Sequence, residues 1–457
     1  MYKPLASSDV VAYVIADVAI ILIAARVLGT LFVRIKQPRI VGEIIAGILI
    51  GPTVLGGHLD LAANPMKHLP AIAGTGLTHR LYPLQAFSFL SALGQIALIF
   101  YMFLVGLDLE KRLLKGKGTQ LVAVAIAVTI VPVALGFFCA SVLKGATWMP
   151  AGVGYTTFAL FLGAGLSVTA FPVMARILQE RGLLATNMGA VGVGAAAIVT
   201  VLMFLLIAAA SASAKHAGLP NEVGMRFALL GALMALLVFV VRPLTAFVTR
   251  NYREGETLEG NLLAFLLIGA LATGLATDRI FGAGLVGGFL FGLAVPTRPG
   301  LASAVTGRMQ DAVLLFLLPV FLAVSGLNTD LTLTTGKLVG GIALFLALMI
   351  ISKWLAGYVA GRAAGLSGRE ANVIGVLLNC RGLMILVVGL IGLQLGVITA
   401  QMQLVFVIGA IVTNMMTGPL IDVFMPPHEV RRATASLTAE QLSTGNRTVS
   451  STALAES

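Results

Sequence analysis

The sequence predicts an all-α polytopic membrane protein of about thirteen transmembrane helices. Hydrophobic residues make up 58% of the 457-residue chain and charged residues only 11%, a balance that a water-facing surface cannot tolerate. Apolar runs of membrane-spanning length recur from one end of the chain to the other, separated by short polar links. The links leave no room for a separate soluble domain.

Hydropathy places the spans at roughly 10–33, 40–56, 84–107, 119–143, 149–178, 187–210, 224–247, 261–277, 281–295, 311–326, 337–361, 370–391 and 399–421. Residues 1–422 then form the transmembrane domain. Residues 423–457 form a Ser/Thr-rich cytoplasmic tail, short of aromatics and read as disordered, and its "NRT" sequon is a chance match on that face. The opening "MYKPLASSDV" lacks a cleavable-signal pattern, so the first span is expected to stay in the membrane.

The net charge of +11 does not point to nucleic acid, because the basic residues lie in short links without clustered patches or interleaved aromatics. They act as topology determinants. "RIKQPR", "EKRLLKGK", "RNYRE" and "GRAAGLSGRE" all fall in odd-numbered links, which makes those links cytoplasmic. This predicts a multi-pass protein of the cell membrane with its N-terminus outside and its C-terminus inside. Cys139 and Cys380 both fall in apolar segments and imply no disulfide framework.

Thirteen spans allow an inverted repeat in which spans 1–6 and 8–13 are linked by span 7. "GLSVTAFPVMAR" in span 5 and "LLNCRGLMILVV" in span 12 carry Gly, Pro or Arg in mid-span, at corresponding places in the two halves. Unwound backbone at membrane depth must line a polar cavity, so a matched pair of interruptions marks a transport site; the plainer reading is two packing kinks. Glycines at four-residue spacing in "GILIG", "GLVGGFLFG" and "GYVAG" predict close helix packing, within one chain or across a dimer.

Ionisable residues inside spans are the informative ones, since each costs several kcal/mol unless paired or hydrated. Lys353 lies about four turns from Lys337 at the start of its span, too deep to snorkel, and reads as a buried functional lysine. Arg381 sits at the break of span 12, where it either satisfies exposed carbonyls or contacts substrate. Glu43 lies about a turn inside the cytoplasmic boundary, as a gate or an interfacial cap. Asp17 is an acid well inside a span, with a partner expected on another helix rather than at Arg26. Arg176 closes span 5 near an interface, and Arg242, before Pro243, is read as the end of span 7.

"QPRIVGEIIAGILIGPTVLG", "YMFLVGLDL", "GLSVTAFPVMARILQERGLLATNMG", "PVFLAVSGLNTDL" and "NCRGLMILVVGLIGLQLGVI" resemble the monovalent cation:proton antiporter-2 family, in the family's order from about residue 10 to 422. The resemblance implies the sodium/proton antiporter fold: two inverted six-helix repeats, a dimerisation part, and a core with two crossed, broken helices. It implies a homodimer in the lipid bilayer that exchanges Na+ or K+ for H+ by an elevator-like motion, with no cofactor and no nucleic acid. Lys353 matches the family's core lysine, Thr169 and Pro172 match its first broken helix, and Asn379 with Arg381 falls in the second.

The departures fall at the transport path. Relatives carry one or two acids in the sixth span after an "AA" run, where this chain has Val199 and Thr200. No Asp or Glu occurs between Glu180 and Glu222. Ile385 likewise replaces an acid in span 12. A partly dehydrated cation needs several oxygen ligands, of which Thr200 offers a hydroxyl and Val199 none. Three readings follow. The chain is still a cation:proton exchanger, with Lys353 and Asp17 for protons and Thr200 with backbone carbonyls for the cation; or it carries an organic ion or ionophore-type compound; or it is a transport-inactive ligand-binding or enzymatic derivative. The last has no nucleophile–base set, metal cluster or nucleotide motif behind it, so the chain is not read as an enzyme.

Overall fold

The computed structural model describes residues 7–35, 37–51, 84–107, 118–181, 183, 186–215, 220–253, 255, 257–281, 284–296, 298–327 and 336–426. The tail beyond residue 426, the whole basic link at 110–117 and the ends of the 37–56, 101–109 and 319–331 motifs lie outside the described residues.

Backbone in a bilayer must satisfy its own hydrogen bonds, and the described segments do so as helices. Among the described residues, nine helices are long and apolar enough to cross a membrane. Several leave most of their apolar surface uncovered: only 17% of the best window in 9–34, and the same share in 231–248, is buried. Ile15, Ile23, Phe239 and Ile268 are among the exposed side chains. In water such faces would aggregate; in hydrocarbon they are the expected outer surface.

The helices sort into two layers. One, here the panel, contains α1 (Ser7–Arg34), α2 (Arg39–Ile50), α3 (Leu84–Leu107), and, from the second half of the chain, three more. The other, the core, opens with α4 (Gly118–Val142), the pair α5 (Tyr155–Ser167) and α6 (Phe171–Glu180), and α7 (Asn187–Lys215). A connecting helix, α8, runs as Pro220–Leu236, a π turn at Leu237–Val241, and Arg242–Val248. The panel then resumes with α9 (Gly260–Phe281), α10 (Gly284–Ala294) and α11 (Leu301–Leu327). The core is completed by α12 (Gly336–Ala363), the pair α13 (Gly368–Leu378) and α14 (Gly382–Gln394), and α15 (Ala400–Phe424).

Packing repeats between the halves. In the panel α1 lies on α2 as α9 lies on α10, while α2 crosses to α11 and α10 crosses to α3. In the core α4 packs on α5 as α12 packs on α13, and α4 meets α12. The spaced glycines make these approaches possible. A Cβ at Gly47 would stand 2.7 Å from Cα of Ala323, at Gly288 2.4 Å from the Ile99 carbonyl oxygen, and at Gly357 2.8 Å from Cα of Gly375. These glycines seat helices of the same chain against one another.

Three boundaries differ from the hydropathy reading. Span 5 begins at Tyr155 rather than 149, because the preceding turn holds Pro150 and Gly152, at φ +84°. Span 10 begins at Leu301 rather than 311: the polar run "LASAVTGRMQD" is helical and continues the apolar helix. Arg242 does not end span 7. The Arg242 amide reaches back to the Leu237 carbonyl, and this widened turn takes up the ring and missing N–H of Pro243 so that the helix runs on to Val248. The same device precedes Pro319, where the Leu318 amide bonds the Val313 carbonyl.

Candidate transport site at the crossing of the broken helices

Both interruptions read from the sequence are real breaks, and they cross. The first leaves Val168, Thr169 and Ala170 non-helical between α5 and α6; the second leaves Asn379, Cys380 and Arg381 between α13 and α14. The Ala170 amide donates to the Cys380 carbonyl at 2.7 Å, tying one break to the other. Gly382 opens α14 with φ +51°, and a Cβ there would come within 2.8 Å of the Ala170 side chain, so both backbone conformation and closeness demand glycine.

Each break ends a half-helix at membrane depth, and the orphan carbonyls of a helix C-terminus carry partial negative charge. Arg381, fully buried, answers the end of α5: its Nη1 donates to the carbonyls of Gly165 at 2.8 Å and Leu166 at 2.5 Å, with Val168 at 3.3 Å. Its Nη2 donates to the Met349 carbonyl of α12 at 2.6 Å and to Oδ1 of Asn379 at 3.1 Å. Asn379 in turn donates through Nδ2 to the Ile350 carbonyl at 2.9 Å. The carbonyls that Arg381 reaches from the second break thus belong to the first broken helix.

Lys353, on α12 and fully buried, donates to the hydroxyl of Thr169. The Thr169 hydroxyl in turn donates a hydrogen bond to the carbonyl of Leu378, the last residue of α13, at 2.9 Å. One cation therefore caps each half-helix end, Arg381 directly and Lys353 through a threonine. Among the described residues no carboxylate shares this cluster, and these helix ends stand where a counter-ion would be expected.

A family profile described as "Sodium/hydrogen exchanger, transmembrane" matches residues 19–424. The chain belongs to the sodium/hydrogen exchanger family. It is 34% identical over 416 residues to the Na+/H+ antiporter NhaS4 of Synechocystis sp., covering 90% of this chain and 97% of that one. It is 31% identical to cation/H+ antiporter 18 of Arabidopsis thaliana across 70% of this chain, and 26% identical to K+/H+ antiporter 1 of Saccharomyces cerevisiae across 79%. It spans only 38% and 40% of the length of those two proteins. The sodium proton antiporter NhaP1 of Methanocaldococcus jannaschii shares the fold, with a TM-score of 0.60 at 13% identity over 93% of this chain and 99% of that one. Family and relatives are antiporters rather than enzymes, and the chain is a multi-pass membrane protein of that transporter class.

Val199 and Ile385, two of the three positions at which the sequence resemblance leads to an expectation of acids, are packed as apolar core. Val199 and Ile385 are fully buried in the main hydrophobic cluster, Ile385 lying beside Gly409 of α15. Thr200 is buried on α7 and donates to the Ala196 carbonyl at 2.8 Å, which leaves its oxygen lone pairs free to accept. Helix α7 packs on both broken pairs. Pro172 falls in the first turn of α6, where a missing N–H costs nothing; its side chain, like that of Arg176, lies outside the described residues.

Asp17 and Glu43 are in the panel, and among the described residues no hydrogen bond joins either to the Lys353 cluster. Asp17 is buried on α1 one turn from Ile21, and its Oδ2 has no partner among the described residues. Glu43 is buried on α2 against Gly29 of α1, a turn beyond Arg39.

The sequence reading missed Asn414. Its Oδ1 accepts from the Gly382 amide at 3.2 Å and from Sγ of Cys380 at 3.1 Å, and its Nδ2 donates to the Ala410 carbonyl at 2.7 Å, so it holds the second break from α15. The available signal was an amide in mid-span, in "IVTNMMTG", which a search for ionisable groups passes over.

Proposed function

We propose that the chain exchanges Na+ or K+ for H+, with Lys353 carrying the coupling proton and Thr169 as the oxygen that proton and cation contest. The observation behind this is the line from the Lys353 ammonium through Thr169 to the Leu378 carbonyl. While Lys353 is charged, its N–H occupies the Thr169 oxygen and its charge repels a cation. Once the proton leaves, that oxygen and the remaining lone pairs of the half-helix carbonyls become available as ligands for a partly dehydrated monovalent ion, with the Thr200 hydroxyl on the adjoining helix. Arg381 stays fixed on its carbonyls and holds the crossing together in both states.

Without a carboxylate the crossing alternates between one bound proton and one bound cation, so the exchange is one for one and electroneutral. Alternating access arises when the core slides against the panel in an elevator-like motion, in a homodimer with the N-terminus outside. The family match and the relatives named as Na+/H+, cation/H+ and K+/H+ antiporters support this reading over transport of an organic ion.

The test is dissipation of a pH gradient in inverted vesicles on adding Na+, K+ or Li+. The wild type should respond to at least one ion, with the same rate whether or not the membrane potential is clamped, and Lys353→Ala should lose the response. No response in wild type, together with a response in a Val199→Asp/Thr200→Asp variant, would overturn the proposal.

A further inference from the structure

Among the described residues the buried charged side chains of the core are Lys353 and Arg381, and the buried carboxylates, Asp17 and Glu43, both belong to the panel. The two cations meet at the first break. Arg381 reaches the Val168 carbonyl, and Lys353 reaches the hydroxyl of Thr169, the next residue. They also share α12, because Nη2 of Arg381 holds the Met349 carbonyl one turn before Lys353.

The helix ends at the crossing do not cancel these charges. Each carries about half an elementary charge, and the negative ends of α5 and α13 are matched by the positive starts of α6 and α14. Roughly two positive charges are left over, on side chains with no exposure to solvent. Arg381 cannot relieve its share by losing a proton.

Donors are left over as well as charge. Nε of Arg381 is buried and has no hydrogen-bond partner among the described residues. Lys353 has three N–H groups, of which Thr169 takes one. One turn along α14 from Arg381, where a carboxylate would form an i,i+4 pair with it, the chain has Ile385. The Ile385 and Met349 side chains meet beside Gly409, where a Cβ would stand 3.7 Å from Ile385 Cδ1 and 2.4 Å from Met349 Cε.

We infer that Arg381 and Lys353 together bind a small monovalent anion of the chloride class, a diffusible counter-ion held at Arg381 Nε beside Ile385. A buried donor on a charged group is costly to leave unmatched, and an anion at Nε answers both the donor and the charge. Apolar walls and few donors suit a halide better than a multiply charged oxyanion, whose several oxygens all need partners once water is gone. The anion stays in place through the exchange cycle, so proton and cation still alternate one for one. Its site follows from the charges and donors of the crossing and holds whether or not the chain carries Na+ or K+.

The experiment follows the thermal midpoint in detergent at fixed Na+ concentration and ionic strength while gluconate is replaced by chloride or bromide. A ligand that binds only the folded state raises the midpoint and saturates, so either halide should raise it by several degrees. Lys353→Ala removes one of the two charges and leaves the Arg381 bonds alone. It should raise the half-saturating chloride concentration about ten-fold or more. Ile385→Glu supplies the negative charge covalently and should abolish the response, whereas Ile385→Gln, equal in size and uncharged, should keep it. A wild-type midpoint indifferent to the exchange of gluconate for halide would overturn the site. So would an unchanged half-saturating concentration in Lys353→Ala, or an undiminished response in Ile385→Glu. Absence of ion-driven pH dissipation with the halide response intact would overturn the antiport reading alone.

Discussion

Thr169 has one hydroxyl and two duties: it accepts from the Lys353 ammonium and donates to the Leu378 carbonyl, in a place with no exposure to solvent. A buried donor stripped of its acceptor costs about 1–3 kcal/mol, more for a charged group. Thr169→Val keeps the shape and removes the oxygen, so it should lower the thermal midpoint in detergent by several degrees and abolish ion-driven pH dissipation. Thr169→Ser should restore both. A Val variant with wild-type transport would show that the threonine only packs. The lysine and the arginine were legible in the sequence because charge inside an apolar span is conspicuous. Their acceptors were not, because a carbonyl is freed only by a break, and which carbonyl a guanidinium reaches is decided by the crossing of segments more than two hundred residues apart.

Among the elements, the spaced glycines set how closely helices approach. Gly288→Ala on α10 would drive a methyl to 2.4 Å from the Ile99 carbonyl oxygen, where only backbone could yield. Overpacking of that kind costs about 1–3 kcal/mol. Gly340→Ala on α12 meets nothing within 4 Å and removes the backbone freedom of a helical glycine, a gain of about 0.5–1 kcal/mol. Melting of the two variants in the same detergent should therefore move in opposite directions; a shared direction would mean that detergent binding, not packing, sets the midpoint. Span positions were legible from hydropathy, since a bilayer imposes length. The ends were less so where polarity and helix part company: "LASAVTGRMQD" is helical though polar, and Pro243 and Pro319 are passed through because π turns precede them.

For the molecule as a whole the decisive boundary is the seam between panel and core. The contacts that hold each layer together are internal to it: α1 with α2, α9 with α10, α4 with α5, α12 with α13. Across the seam run fewer and mostly apolar contacts, among them the Phe204–Phe289 ring pair. Apolar surfaces without interlocking hydrogen bonds slide at low cost, as required if the core carries its cargo past a fixed panel. A cross-link between the layers should therefore stop transport without unfolding either one. Cysteines replacing Phe204 and Phe289, joined by a short bifunctional thiol reagent, should abolish the ion-driven pH signal, and cleavage of the linker should restore it. The same reagent joining cysteines at Val286 and Thr273, both within the panel on α10 and α9, should leave transport intact. Full activity with the Phe204–Phe289 positions linked would mean that the layers do not move past one another and that access alternates by some smaller displacement at the broken helices.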